Sequence, residues 1–163
     1  MLKGKKALRR RHRLNRSRLP LALILMAAVL AAGFGTGPAG AAEPFQVVVH
    51  ASNPVSELSA QEVSKMFLKK FVRWGDGTRV LPVDLEERSA VRETFSLRVH
   101  GKSTSAIKAF WQRMIFSGRE VPPPEKKTAR EVVDYVRGHK GAIGYVPVGT
   151  SLFDGVRPLR VEP

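Results

Sequence analysis

The sequence predicts an α/β fold in which a small mixed sheet is flanked by helices. Short segments rich in β-branched residues alternate along the chain with segments whose apolar residues recur every three or four positions. Serine or threonine precedes several of the helical segments, where an N-cap is expected. The predicted order of elements is β, α, β, α, α, α, β, β, which favours helices layered on a sheet.

The first strand is predicted at 45–50, a continuous apolar run typical of a strand that is covered on both faces. Turn residues at 51–54 end it. Ser59 and Glu62 then form the pattern of a capping box. The helix that they open should end near 69–70, where two lysines suit a helix C-terminus.

A tryptophan and a second strand follow. Trp74 lies in a turn-rich connection, and we expect it to close the edge of the core because an exposed indole is costly. The strand is predicted at 80–83, where Pro82 indicates an irregular or edge position.

Two helices are predicted in the middle of the chain. One begins after Ser89 and ends near His100 and Gly101, where glycine suits the position after the last turn. The next begins at Ser103 or Thr104 and carries the clearest helical stripe in the sequence, which we expect to face the core. The residues of this stripe are Ile107, Phe110, Trp111, Met114 and Ile115.

The last part of the chain predicts one helix and two strands. Thr128 and Glu131 have the spacing of a second capping box, and the helix should end at Gly138. Strands are expected at 141–146 and 156–161. Gly144, inside the first of them, predicts the close approach of another backbone.

The first 42 residues have the organisation of a secretory signal peptide. Residues 1–18 contain nine basic side chains and no acidic one, residues 21–32 are apolar, and small residues follow up to Ala42. The best cleavage site follows Ala39-Gly40-Ala41, with cleavage after Ala42 as the neighbouring choice. The alternative is an uncleaved anchor at 19–34, although twelve unbroken apolar residues are fewer than the roughly 20 that a spanning helix needs.

This reading places residues 43–163 in the periplasm or outside the cell, or anchored to the inner membrane if the signal is retained. The net charge of the chain is +14, but residues 43–163 hold 19 basic and 14 acidic side chains. Nucleic-acid binding is therefore not predicted, because most of the excess charge lies in the part expected to be removed. The chain has no cysteine, which excludes disulfides and thiol catalysis.

Catalytic patterns are weak, so the sequence predicts a protein that is not an enzyme and has no metal or cofactor. The four histidines are scattered without the spacing of metal ligands. Glu86 and Glu87 are adjacent and do not naturally aim at one reacting atom, and Ser89 has no evident base beside it. Neither a nucleophile elbow nor a phosphate-binding P-loop motif is present.

The segment 80–95 is the one that could bind a ligand. It is predicted to form a strand, a polar turn and the start of a helix capped by Ser89. A helix start leaves backbone N–H groups without partners and carries partial positive charge, so a small anion could bind there. The alternative is an ordinary strand–turn–helix with a serine cap.

Three segments in the expected order resemble the periplasmic phosphate-binding proteins of ABC transporters and the smaller domains related to them. Segment 58–67 with 74–76 looks like that family's helix and the tryptophan turn after it. Segment 83–95 is similar to its phosphate loop, with Ser89 on the serine of a Ser-Gly-Thr motif, and 141–146 matches its most recognisable strand.

The resemblance covers about residues 46–149 and implies a single lobe of a type 2 periplasmic-binding-protein-like fold. In the full family, phosphate lies between two lobes, held by helix-start amides, hydroxyl groups and an arginine. A lone lobe would leave such a ligand at an open surface unless a partner covered it.

The sequence departs from the family pattern at the phosphate loop. Ala90 and Val91 stand where the family has glycine and threonine, and Leu85 stands where the resemblance would put an arginine. Arg88 and Arg92 are close enough in sequence to replace that arginine. The alternative is that both are solvated or pair with Glu86, Glu87 or Glu93.

The leading hypothesis is an exported protein that binds phosphate or a similar oxyanion, as a substrate-binding component linked to phosphate ABC transport. Its site would be formed by Ser52, Asn53, Arg88, Ser89 and Arg92. The second hypothesis is an adaptor that has lost ligand binding and docks on an envelope or membrane protein, motivated by the departures at 85, 90 and 91. A third is a lobe held at the membrane by the uncleaved anchor, with the bases of 3–18 on anionic lipid.

Overall fold

The computed structural model describes residues 43–163. The predicted signal peptide at 1–42, and the alternative anchor at 19–34, lie outside these residues. Within 43–163, every helix is too short or too polar to cross a membrane. The helices are α1 (Ala60–Phe67), α2 (Ala90–Phe95), α3 (Thr104–Phe116) and α4 (Ala129–Gly138), and a π-helical turn (Ser96–His100) continues α2. The strands are β1 (Phe45–His50), β2 (Glu57–Ser59), β3 (Leu81–Pro82), β4 (Asp84–Leu85), β5 (Glu125–Lys126), β6 (Ala142–Pro147) and β7 (Val156–Glu162).

The main sheet is mixed and has five strands in the order β2-β7-β1-β6-β3. β1 lies at its centre and runs antiparallel to both β6 and β7. β3 runs parallel to β6, and β2 runs parallel to β7. A separate parallel pair, β4 with β5, lies beside the main sheet. This architecture confirms the predicted α/β class with a small mixed sheet.

Helices cover both faces of the sheet, because alternate residues of its central strands point to opposite sides. On one face, the ring of Tyr145 stacks on that of Phe95 at 3.8 Å, and Phe67 of α1 packs on both. On the other face, Gly144 lies directly under Val132 and Val136 of α4. The core therefore has an aromatic side and a valine side.

The prediction that Gly144 meets another backbone is wrong, because side chains fill the space above it. A Cβ at this position would lie 2.7 Å from Val132 Cγ1 and 2.9 Å from Val83 Cγ1. The close backbone approach occurs three residues earlier, where a Cβ on Gly141 would lie 2.0 Å from the carbonyl oxygen of Arg79.

The predicted N-caps are largely confirmed. Ser59 and Glu62 form the complete capping box, with the Glu62 carboxylate accepting the Ser59 N–H at 2.8 Å. Thr128 also caps α4, but the carboxylate of Glu131 accepts from the N–H of Lys127 instead of the cap residue. In the second capping box, therefore, only the hydrogen bond to the Thr128 hydroxyl is formed.

Trp74 closes the edge of the core, as predicted. Its side chain is 4% exposed, and its Nε1 donates to the carbonyl oxygen of Gly141 at 2.9 Å. This bond ties the turn before β3 to the start of β6.

The prediction that the whole stripe of α3 faces the core is wrong. Ile107 and Trp111 are buried, whereas Ile115 is 49% exposed and the neighbouring Phe116 is 90% exposed. The reason is that α3 packs on the π-helical turn and not on the sheet, so its last turn has little to cover it. The spacing of the stripe indicates an apolar helix face, but it does not indicate how much of that face is covered.

Candidate functional site

The junction between β4 and α2 has the strand–turn–helix form that the sequence predicts. Ser89 is the N-cap of α2 in extended conformation, and its hydroxyl accepts the N–H of Arg92 at 3.4 Å. Val91 and Phe95 face the core, which orients α2 so that Arg92 points back toward β4.

The side chain of Arg92 is buried, and both of its terminal nitrogens contact oxygen atoms of the same chain. Its Nη2 lies 3.1 Å from Asp84 Oδ2, and its Nη1 lies 2.6 Å from Glu125 Oε1. Nη1 also donates to the carbonyl oxygen of Leu85 at 2.6 Å. The guanidinium therefore has two carboxylates and one backbone carbonyl around it.

Asp84 is the buried partner of this arginine. Its Oδ1 accepts from the hydroxyl of Tyr145 and from the N–H of Leu85, while its Oδ2 faces Arg92. We call Asp84, Arg92, Glu125 and Tyr145 the ion-pair cluster. The parallel pairing of β4 with β5, in which Asp84 is opposite Glu125, brings the two carboxylates to the same guanidinium.

The electrostatics of the ion-pair cluster follow from its burial. Burial raises the pKa of Asp84, while the charge of Arg92 and the Tyr145 hydroxyl act in the opposite direction. Burial also raises the pKa of Tyr145, and the adjacent Asp84 charge adds to this effect. For Arg92, burial opposes the charged form, but Asp84 and Glu125 outweigh it and the pKa of Arg92 is raised. Arg92 is therefore a cation whose charge is neutralised by carboxylates of the same chain.

Sequence reasoning did not find three members of the ion-pair cluster: Asp84, Glu125 and Tyr145. Glu125 is 33 positions from Arg92, and only the β4–β5 pairing joins them. Asp84 could have been identified from the sequence, because an aspartate embedded in an apolar strand needs a partner for its charge. The glutamates considered as partners from sequence were 86, 87 and 93, and none of them is the one that binds Arg92.

Ser52 and Asn53 lie at the opposite end of the sheet from Ser89 and Arg92. β1 runs antiparallel to β6 and β3 runs parallel to it, so the end of β1 lies near the start of β3. A strand the length of β1 spans about 20 Å, far more than the size of a small anion. The five residues that the sequence assigned to one site therefore fall into two separate groups.

The polar groups of the first group are engaged in local structure. Asn53 is 6% exposed, and its side chain accepts the N–H of Val55 at 2.9 Å, which forms a turn. Its carbonyl oxygen accepts from Arg157 Nη2 at 2.6 Å. The Ser52 hydroxyl lies 2.7 Å from His50 Nδ1.

Arg88 lies at the surface, in the turn before α2. It lines an open depression of about 650 Å³ together with Glu86, Glu87, Thr104, Lys108 and Glu125. Lys108 already binds Glu87 at 2.8 Å. Three carboxylates therefore border this depression, and this mixed charge does not favour a free anion.

A partly buried histidine packs on the aromatic side of the sheet. His100, in the π-helical turn, has its Nδ1 2.8 Å from the Ser64 hydroxyl and packs edge-on against Phe95. Burial, and then the charge of Arg92, lower the pKa of His100 to about 4. The imidazole is therefore neutral near pH 7.

The comparisons with known proteins place the fold. The chain is similar to a structure from Clostridium perfringens that is described as a phosphate ABC transporter substrate-binding protein with bound phosphate (TM-score 0.58, 20% identity). It is also similar to an ABC-type phosphate transport receptor from Vibrio cholerae (TM-score 0.57, 16% identity) and to PstS from Borrelia burgdorferi (TM-score 0.53, 14% identity).

The matches cover 73%, 73% and 74% of this chain, but only 45%, 46% and 47% of those three proteins. The chain thus spans less than half the length of the solved structures that it resembles. No protein-family model and no curated protein matches the sequence. The predicted resemblance to the phosphate-binding proteins is confirmed for the fold, and the neighbours are binding proteins of transport systems.

Proposed function

We propose that this chain, which has the fold of phosphate-binding transport receptors, is an exported, non-enzymatic interaction module in which the ion-pair cluster replaces a bound anion. One observation carries the proposal: Arg92, one of the two arginines that could replace the family's phosphate arginine, is held by Asp84 and Glu125. This is the adaptor hypothesis, with docking on a partner in the cell envelope as the function.

The energetics favour this proposal over phosphate binding. A phosphate ion that reached Arg92 would have to replace the Glu125 carboxylate, now 2.6 Å from the guanidinium, and would then face Asp84 on the other side. The Glu125 side chain is 48% exposed, so displacing it costs less than removing a fully buried partner, and the main obstacle to phosphate is repulsion by the buried Asp84 carboxylate. Val91 adds no hydroxyl donor to offset this cost.

A second candidate function is weak binding of phosphate or a similar oxyanion, as part of phosphate ABC transport. The observation in its favour is the position of Glu125, whose side chain is 48% exposed at the outer side of the cluster and could be displaced. The similarity to the Clostridium perfringens structure, which has bound phosphate, also supports this second candidate. In this case Ser89, Arg88 and the released Arg92 would hold the anion.

Calorimetry with phosphate and with sulfate separates the two candidates. The interaction module predicts no heat of binding at millimolar anion in a sample that circular dichroism shows to be folded. Binding by the wild-type protein that disappears in Ser89→Ala would overturn it in favour of the second candidate.

A charge-neutral variant sharpens this comparison. Glu125→Gln removes the outer carboxylate while keeping the size of the side chain, so it should increase affinity for phosphate if the anion competes with Glu125. Glu57→Gln, an exposed change in β2, is the matched control. Absence of binding in both variants supports the interaction module, and the Ser89→Ala variant should then still capture its envelope partner.

A further inference from the structure

Five large apolar side chains are exposed along one part of the surface, which we call the apolar edge. Two lie in the last turn of α3, one follows α3, and two lie in the turn after α1. The members of the apolar edge are Phe71, Val72, Ile115, Phe116 and Val121, with exposed fractions of 45%, 51%, 49%, 90% and 59%. An isolated exposed apolar residue needs no explanation, but a group of five does.

Two contacts join the halves of the apolar edge. Lys69, just before Phe71, binds Glu120, just before Val121, at 3.0 Å. Phe71, Val72 and Glu120 also line one shallow cleft of about 90 Å³. The turn after α1 and the segment after α3 are therefore neighbours on the surface.

The charge of the flanking segments is strongly positive. Residues 69–73 and 113–121, which contain the apolar edge, hold five basic side chains and one acidic one, Glu120. Lys70, Arg113 and Arg119 lie next to the apolar residues in sequence and are exposed. Exposed basic side chains thus flank the apolar edge on both of its segments.

We propose that the apolar edge docks on the surface of a bilayer that contains anionic phospholipid. An exposed phenylalanine at the end of a basic helix can enter the boundary between headgroups and acyl chains while the neighbouring arginines bind lipid phosphates. α3 is 13 residues long, which is sufficient to lie in this boundary but not to cross a bilayer. This inference extends the proposed function by naming a surface and a partner, and it does not depend on whether the ion-pair cluster binds anions.

A local probe tests the proposal in the full chain. Because the chain has no cysteine, Ser117→Cys adjacent to Phe116 and Ser151→Cys in the loop before β7 can each carry a single polarity-sensitive fluorophore. With phosphatidylcholine vesicles that contain phosphatidylglycerol, we expect the probe at 117 to shift to the blue and to be quenched by nitroxide lipids. The probe at 151 should remain in water. Both proteins retain residues 1–42, so any tethering by that segment acts equally on the two.

Variants identify the residues responsible. Phe116→Ser should weaken the response at 117 by about tenfold in lipid concentration, because it removes the largest exposed apolar side chain. Val148→Ser, which removes a 58% exposed apolar side chain outside the apolar edge, is the control and should have no effect. High salt should also weaken the response.

Three results would overturn the proposal. The probe at 117 could remain in water on anionic vesicles, or it could respond equally to vesicles of phosphatidylcholine alone. It could also shift without lipid as protein concentration rises, which would identify a second copy of the chain as the occupant. Phosphate calorimetry is a separate measurement, so either conclusion can fail without the other.

Discussion

The charged residues of the ion-pair cluster stabilise the junction between β4 and α2 only when each charge is paired with an opposite one. Asp84 and Arg92 are both more than nine-tenths buried, so removing one leaves the other charged without compensation. We expect Arg92→Met to lower the free energy of unfolding by about 3–5 kcal/mol.

The paired variant provides the control for that experiment. The double variant Asp84→Asn, Arg92→Met has no buried charge at either position. The amide oxygen at position 84 can still accept a hydrogen bond from Tyr145, so most of the lost stability should return. Urea denaturation of both variants measures the difference. If the double variant is as unstable as the single one, charge balance is not what the cluster contributes.

His100 makes stability depend on pH. Its pKa is about 4 in the folded protein and near 6.5 when unfolded, so between these values the unfolded chain binds the additional proton. Stability should therefore fall as the pH is lowered from about 7 toward 4, by about 3 kcal/mol from this group.

The matched variants are His100→Gln and His139→Gln. The first should remove this part of the pH dependence, whereas the second, which changes an exposed histidine, should preserve it. Urea denaturation at several pH values measures both. Equal slopes in wild type and His100→Gln would contradict the role given to burial.

At the scale of elements, contact between β6 and α4 depends on the absence of a side chain at Gly144. A methyl group there would lie 2.7 Å from Val132 Cγ1, so we expect Gly144→Ala to destabilise the protein by about 1–3 kcal/mol. Thermal denaturation measures the loss.

Gly138→Ala is the control at the end of α4, where an added Cβ meets no atom within 4 Å. Alanine favours a helix more than glycine does, so this variant should be unchanged or slightly more stable. A similar loss of stability in both variants would show that helix contact at Gly144 is not the cause.

Elements with strong local signals could be predicted from the sequence, and those that depend on distant partners could not. Ser59 with Glu62 and the apolar run of β1 depend on neighbouring residues, so both were predictable. β4 and β5 have two residues each and form only because they pair with one another. The exposed end of α3 depends on what lies beside it, which spacing alone does not contain.

At the scale of the whole molecule, the signal peptide remains the main prediction about residues 1–42. If it is cleaved, the mature protein should begin at Ala42, or at Glu43 if the neighbouring site is used, and its net charge should fall from +14 to about +5. N-terminal sequencing of exported protein measures this. A chain that still begins at Met1 would favour the anchor at 19–34.

The candidate site shows what sequence order cannot supply. Ser52 and Ser89 both follow predicted strands, which placed them together in the hypothesis, but β1 and β3 run in opposite directions and separate them. Strand direction depends on pairing over long distances in the chain. The resemblance to a known fold identified the architecture, whereas the side chains that fill the junction became visible only in three dimensions.

The central strand of the sheet also constrains when the chain can fold. Val48 of β1 pairs with Gly144 and Pro158, partners that leave the ribosome about a hundred residues after it. The nascent chain therefore has no complete sheet until translation is almost finished, and slow folding is expected from contacts of such high sequence separation. A polypeptide that stays open for so long can still be threaded through a narrow translocation channel.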